Sequence, residues 1–492
     1  MINIFYDRTG DYEDLQNCSR IPNGIPKEFV EFYFPVFNPD KLREKTNFAP
    51  AVYPSDLYRG SLSKNGKICL VDDIENNFIE DGCIGIYPIE IYGAPERALG
   101  VDREWNKKFK TAFDYISPKA LKYIKNGKLK LYFGLIQEAF YRDEEFKYLQ
   151  LQLDKYDISD VTVAANDFLV ERRYNEWCQS NHKKVRFKVI VYCHSLFEKS
   201  NEVYCIHNDI HNGLYSIGEQ YKKHTNSVMK LDDFYKLKSK KRKQKLLCLN
   251  RRMRPYRLAT LCVLGENNLI KNNSVSFTFK LDPVSFYIED YFREGKEKRL
   301  KKLKVEFDKL RKMKTKIVDY PLSMEGKDGL NHGYGFENHK PYLNTYFSIV
   351  TETRFFDPVG FISEKIWKPF AYFHPSILVG SVGSLKYIRE FGFKTFHPFI
   401  DESYDDCTDG VERFALIEKE IIRLGNMTKD ELHKWYWSME DILIHNHNLF
   451  IEYGKNNSII NNSFLHLLES NVNGKDNINE SSIFIPSLSK DI

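Results

Sequence analysis

The sequence predicts an α/β protein built from two facing Rossmann-like domains, with an extra strand-rich region at the N-terminus. Three observations carry this. The chain has 492 residues, too many for one ordinary core. Short apolar runs alternate with amphipathic stretches in two separate blocks, as parallel strands and crossover helices do. Polar clusters follow directly on the apolar runs, where open parallel sheets hold their ligands. The pattern divides the chain into a strand-rich region over 1–110, Rossmann-like domains over 111–240 and 241–455, and an Asn/Ser-rich tail over 456–492 that is expected to be loosely ordered.

Along the first 110 residues, KICLV and CIGIYPIEIYG read as strands among Gly- and Pro-rich turns. From about 115 the pattern changes. PKALKYIKNG reads as a helix, KLKLYFGLI as a strand running into the acidic QEAFYRDEE, and a further helical stretch leads to DVTVAAND. Another helical piece precedes KVIVYCHS, and the basic KLKSKKRKQK (236–245) bridges to the second block. There Leu246–Leu249 is a strand, followed by a polar turn and an amphipathic helix from about Pro255. SIVTE is a strand, a helix opens at Ser363, SILVG is a strand, SLKYIREFG is a helix capped by Gly392, and KTF is a last strand. Pro369 inside the helix from Ser363 is expected to shorten or kink it.

With 42% hydrophobic and 29% charged residues, the composition is that of a globular protein with ample core. A net charge of +5 is small for this length, so the chain as a whole is not a nucleic-acid coat. Positive charge is local instead: seven bases in 236–245, and twelve bases against four acids in 293–316, a charged helix. Such runs serve as solvated faces or attract an anionic partner. Nine scattered cysteines without a CxxC pair point to reduced thiols. No basic stretch and apolar core open the chain, and no run approaches eighteen apolar residues, so a cytoplasmic protein without a membrane span is expected.

Two polar stretches stand out. In SEKIWKPF, Ser363 suits an N-cap, while Glu364 and Lys365 fill the first helical turn. Glu suits the positive end of the helix dipole and Lys does not. Free amides with an ammonium make a phosphate site, and the neighbouring carboxylate can accept hydrogen bonds from sugar hydroxyls. The alternative is an exposed helix start with incidental charges. In NRRMRPYR, Asn250 follows a strand and four arginines follow Asn250. Arginine presents a planar fork suited to phosphate oxygens, although a surface loop of solvated arginines reads the same way. Arg257 alone sits where a helix would aim it back at the strand ends.

These stretches, with ILVGSVGSLKYIREFGFKTF, resemble the fucosyltransferase-type glycosyltransferases of the two-Rossmann (GT-B) architecture, over roughly residues 246–400. The resemblance implies transfer of a sugar from a nucleotide-diphosphate donor to a hydroxyl acceptor, most simply a glycan. The transfer is expected to be inverting and, since Lys365 and the arginines supply cation, to need no metal or further cofactor. Matched by position, Arg257 and Lys365 would hold the pyrophosphate, Glu364 would bond the ribose hydroxyls and Glu352 would lie near the donor sugar. Asn250, Arg251, Thr351 and Ser363 complete the expected substrate-binding set. The family's Phe-Glu-Asn triplet is replaced by Val-Thr-Glu-Thr, and Glu352 stands farther from Glu364 than usual, so fucose is not assumed.

Direct displacement at the anomeric carbon also needs a base. The resemblance places it at a strand end of the first domain, where Glu138 fits best and Asp167 and His194 are rivals. His207 and His211 have i, i+4 spacing but no third ligand. Tyr404-Asp405-Asp406 can be read as a metal-binding acidic motif, yet Lys365 and the arginines already supply cation. Two other readings stay open: a phage-type enzyme that glycosylates DNA, favoured by the basic runs, and an inactive nucleotide-sugar-binding module.

Overall fold

The computed structural model describes residues 2–6, 68–71, 74–77, 84–91, 113, 116–135, 143–207, 229–250, 254–276, 340–356, 359–456, 482–483 and 485–486. Its strands are β1 (Ile2–Tyr6), β2 (Ile68–Leu70), β3 (Ile84–Ile91), β4 (Leu129–Leu135), β5 (Val161–Ala165) and β6 (Phe187–Val191), then β7 (Leu246–Leu249), β8 (Ser274–Ser276), β9 (Phe347–Thr351), β10 (Ser376–Val379) and β11 (Ser482–Ile483). They form two parallel sheets, ordered β11-β6-β5-β4-β3-β1-β2 and β10-β9-β7-β8. In each sheet the first strand lies between the second and the third, so strand order reverses at β1/β3 and again at β7/β9. The chain is thus a mixed α/β protein with two Rossmann-like parallel sheets. Val161–Ala165 and Phe347–Thr351 are buried at every position. Near-continuous apolar strands follow when helices cover both faces of a parallel sheet.

Helices alternate with these strands. In chain order they are α1 (Ile74–Asn77), α2 (Pro118–Lys125), α3 (Asp143–Lys155), α4 (Val170–Ser180), α5 (His194–His207), α6 (Leu231–Lys236), α7 (Pro255–Glu266) and α8 (Lys340–Asn344). They continue as α9 (Glu364–Ala371), α10 (Ser384–Glu390), α11 (Gly410–Asn426), α12 (Lys429–Trp437) and α13 (Glu440–Lys455). Ser117 caps α2 by accepting from Ala120 N at 3.0 Å, with Pro118 in the first turn, where its missing N–H costs no helical bond. Trp367 of α9 is fully buried. Burying such a side chain stabilises by roughly 1.5–3 kcal/mol and fixes the roll of the helix. The helix ends at Ala371, two residues past Pro369, and Gly392 adopts the left-handed conformation (φ 85°) that stops α10.

One expectation changes, and two described pieces join a sheet from outside the expected 111–240 domain. The described strands of the first 110 residues, β1, β2 and β3, join the sheet of β4 through the β3–β4 pairing, Gly85 opposite Leu129 to Ile91 opposite Leu135. The tail contributes Ser482–Ile483 to the far edge of that sheet, beside β6. KTF (394–396) is not a strand: Lys394 exchanges bonds of 2.8 Å with the Asn446 amide, and Phe396 N donates to Glu402 Oε1 at 2.6 Å. Side chains satisfy that backbone, so it needs no sheet neighbour. The 293–316 run lies outside the described residues.

The two sheets are tied together at their carboxyl ends. Phe168, just after β5, stacks on Tyr387 of α10 with ring centroids 4.0 Å apart. Helices α5 and α13 approach so closely that a Cβ on Gly454 would collide with the Ser200 carbonyl.

Candidate functional site

The site grows from the β7/β9 reversal. Asn250 follows β7, and its Oδ1 accepts from Thr351 Oγ1 at 2.5 Å, while its N–H donates to the Ser276 carbonyl at 3.1 Å. One side chain therefore joins the carboxyl ends of β7 and β9. From the first turn of α7, Tyr256 OH donates to the Glu352 carbonyl at 2.6 Å. Arg257, one residue on, donates through Nη2 to the carbonyls of Glu352 (2.9 Å) and Thr351 (3.2 Å). Arg257 does aim back at the strand ends, and there it holds the backbone just beyond β9. Tyr256 escaped notice in the sequence because a tyrosine beside four arginines carries no signal of its own.

Glu352 is completely buried, with Gly380 of the β10 loop against its side chain. Its Oε2 accepts from Ser363 Oγ at 2.5 Å, Ser363 N at 3.3 Å and Thr353 N at 3.2 Å. Oε1 is buried with no hydrogen-bond partner among the described residues. Ser363 caps α9 as expected, accepting from Lys365 N at 3.4 Å. Lys365 Nζ reaches Glu364 Oε1 (2.9 Å), Ser363 Oγ (3.1 Å) and Thr353 Oγ1 (3.4 Å). Ser363 Oγ is thus a junction that gives its proton to Glu352 and receives the lysine.

The electrostatics follow. Burial pushes the Glu352 carboxyl up, opposed by the Lys365 ammonium and the Ser363 bonds. Burial also penalises charge on Glu364, but Lys365 at contact distance, with Lys368 beyond, brings that carboxyl down to about 2. Burial lowers Lys365, and Glu364 and Glu352 outweigh it to raise the ammonium, against repulsion from nearby Arg257. Two cations, Lys365 and Arg257, and two carboxylates, Glu352 and Glu364, act on one another here. The lysine side chain retains 31% exposure and the Glu364 side chain 15%, so this ion pair is the part of the cluster that meets solvent.

The strand ends of the first sheet are used differently. Asp167 is buried and salt-bridged to Arg173 at 3.4 Å. It accepts from Leu169 N at 2.9 Å and from Gly360 N, across the junction, at 3.0 Å. Burial lifts its carboxyl to about 6 even with Arg173 beside it. Asp167 is engaged as a structural clamp. His194 opens α5. Glu138, Arg251 and His211 lie outside the described residues. Tyr404-Asp405-Asp406 forms a short 3-10 turn. In it, Asp405 accepts from Leu385 N (3.1 and 3.0 Å) and Lys386 N (3.2 Å), serving as a remote cap for α10. No cluster of three or more His, Cys, Asp or Glu suited to a metal occurs among the described residues.

The basic run 236–245 has partners within the chain. Lys236 pairs with Asp233 and Lys238 with Glu440, Lys241 contacts Asp430, and Lys245 Nζ donates to the Gly425 carbonyl at 2.7 Å. Arg242 is buried against the Tyr436 ring, donating to the carbonyls of Tyr342 and Thr345. No helix among the described residues is long and apolar enough to cross a membrane. Compared with family models, curated proteins and solved structures, the chain has no match.

Proposed function

We propose that the protein transfers a sugar from a nucleotide-diphosphate donor to a hydroxyl acceptor. The observation that carries this is the Glu352–Ser363–Lys365–Glu364 cluster at the β7/β9 reversal, buried at Glu352 and Ser363 and open to solvent at the Lys365–Glu364 pair. Open parallel sheets take nucleotides at such a reversal, and the resemblance to fucosyltransferase-type enzymes names the same residues. In this reading Lys365 swings from Glu364 to the pyrophosphate, assisted by the amides of α9. Glu364, released, accepts from the ribose hydroxyls. Glu352 Oε1 is left to accept from a donor-sugar hydroxyl. Arg257 acts mainly by fixing the backbone at Thr351 and Glu352.

Catalysis would be inverting, with Glu138 taking the acceptor's proton. Because Asp167 is committed to Arg173 and Gly360, it is the weaker candidate for the base. A glycan acceptor is preferred to DNA, since most of the 236–245 bases are occupied within the chain. A screen of nucleotide sugars by thermal shift tests the reading, since a ligand that binds only the folded state raises its stability. One nucleotide sugar should raise the melting temperature, and its transfer should survive EDTA. A screen in which none binds, or a strict requirement for Mn²⁺ or Mg²⁺, overturns the assignment.

A further inference from the structure

The segment that delivers Ser363 and Lys365 to the site is held from the opposite side by the first sheet. The Ile362 carbonyl accepts from Asn166 Nδ2 at 3.0 Å and from Ser195 Oγ at 3.0 Å. Asn166 directly follows β5, and Ser195 lies in the first turn of α5. Both are buried. Across the same peptide bond, Ser363 N–H donates to Glu352 Oε2 at 3.3 Å. One peptide unit is therefore gripped on its carbonyl side by the first sheet and on its amide side by the carboxylate of the site. Two further contacts hold the register. Trp367 Nε1, in the first turn of α9, donates to Ser195 Oγ at 3.0 Å. Phe168 N donates to the Gly360 carbonyl at 3.1 Å, where any Cβ on residue 360 would fall 2.8 Å from Phe168 Cβ.

We propose that Asn166 and Ser195 are positioning residues for the nucleotide site, setting Ser363 and Lys365 through the Ile362–Ser363 peptide and so coupling donor binding to the first sheet. The inference rests on the functional reading above. A peptide plane moves as a rigid body, so releasing its carbonyl lets its amide drift from Glu352. Ser363 Oγ then no longer serves both Glu352 and Lys365. Coupling of this kind is reciprocal: what tightens the nucleotide site also orders the strand ends of the first sheet.

The test is calorimetric titration of ADP, GDP, UDP and CDP, separately, into the full chain and its variants. The diphosphate that binds wild type should bind Ser195→Ala and Asn166→Ala roughly fivefold to tenfold more weakly, the scale of one lost hydrogen bond. Ser195→Thr, which restores the hydroxyl, should recover wild-type affinity. Ser200→Ala is the control for simple loosening. Ser200 is buried in the same helix and bonds the Phe197 carbonyl at 3.2 Å, away from 359–367, so its affinity should stay at the wild-type value. Should the variants fail to fold, amide hydrogen exchange on wild type decides. Binding should slow exchange at 166–168 and 195–197 as well as at 363–366. Equal affinities in all variants, or protection confined to 363–366, overturn the inference alone. Failure of all four diphosphates to bind wild type overturns the functional reading, and the inference with it.

Discussion

The carboxyl ends of the two sheets bear the same kinds of side chain and put them to opposite uses. At the first sheet, Asn166 and Asp167 are buried, and Asp167 meets Arg173, Leu169 N and Gly360 N. At the second, Glu352 is equally buried, yet one of its oxygens has no hydrogen-bond partner among the described residues, and the lysine beside it is a third exposed. A carboxylate whose bonds are made by backbone and a salt bridge holds structure together. One with an idle oxygen next to a part-exposed, ion-paired lysine keeps an acceptor unspent. Residue type at a strand end does not separate these cases; the state of its bonds does.

The widest separation comes from removing an acid on each side. Asp167→Ala breaks its buried ion pair with Arg173 and removes the acceptor of two backbone amides, and should destabilise the fold by about 3–5 kcal/mol, read from urea unfolding. Glu138→Gln, at the other acid proposed for the first domain, should leave stability and donor binding intact and lower kcat by roughly 10²–10⁴-fold. If Asp167→Asn, which keeps an acceptor for both amides, folds normally but abolishes turnover, the comparison is wrong and Asp167 is the base.

Within the second sheet the effects are smaller and fall on binding. Lys365→Ala should weaken nucleoside diphosphate binding by about 1.5–3 kcal/mol, as expected for a charge-assisted contact, with little change in unfolding. Glu364→Ala should raise the donor KM more than it lowers kcat, since a ribose contact acts in ground and transition states alike. Steady-state kinetics in which kcat falls and KM holds would move Glu364 from ribose binding into the chemistry.

What the sequence disclosed and what it withheld divide by range. The β7 strand, Pro255 in the first turn of α7, Ser363 as the cap of α9 and Gly392 after α10 are local signals, and each element formed where its residues predict. Arg257 was legible for the same reason, since helical spacing alone turns it toward the strand. The bonds from Asn166 and Ser195 to Ile362 join residues 196 and 167 positions apart, and no local pattern encodes them. Long-range pairing likewise decides that β1–β3 share a sheet with β4, and that Asp405 caps α10 instead of forming an independent acidic motif. The basic run illustrates the point from the charge side. Its composition suggested solvent or an anionic partner. Most of its lysines do stay exposed, but Lys238 and Lys241 also pair with Glu440 and Asp430, and Arg242 is buried against Tyr436, on helices about two hundred residues later.

The smallest predicted effect is the dependence of stability on pH, and it sets the two regions against each other in sign. Burial raises Asp167 to about 6 from an ordinary 3.8, and Asp405 likewise. The folded chain therefore holds these protons more tightly than the unfolded chain. The stability they contribute is complete below pH 3.8 and is lost as pH rises through 6. Glu364, brought down to about 2 from 4.5, behaves oppositely: its contribution is present above pH 4.5 and is lost as pH falls toward 2. Lowering pH from 7 to 5 should thus strengthen the fold by about 1 kcal/mol for each of the two aspartates, while Glu364 stays ionised and the site stays assembled. Asp167→Asn should remove its share of the rise and leave that of Asp405. A urea midpoint that falls between pH 7 and 5, or an Asp167→Asn variant with the wild-type profile, would mean that Asp167 does not carry a buried charge at neutral pH and that the clamp is held by something else.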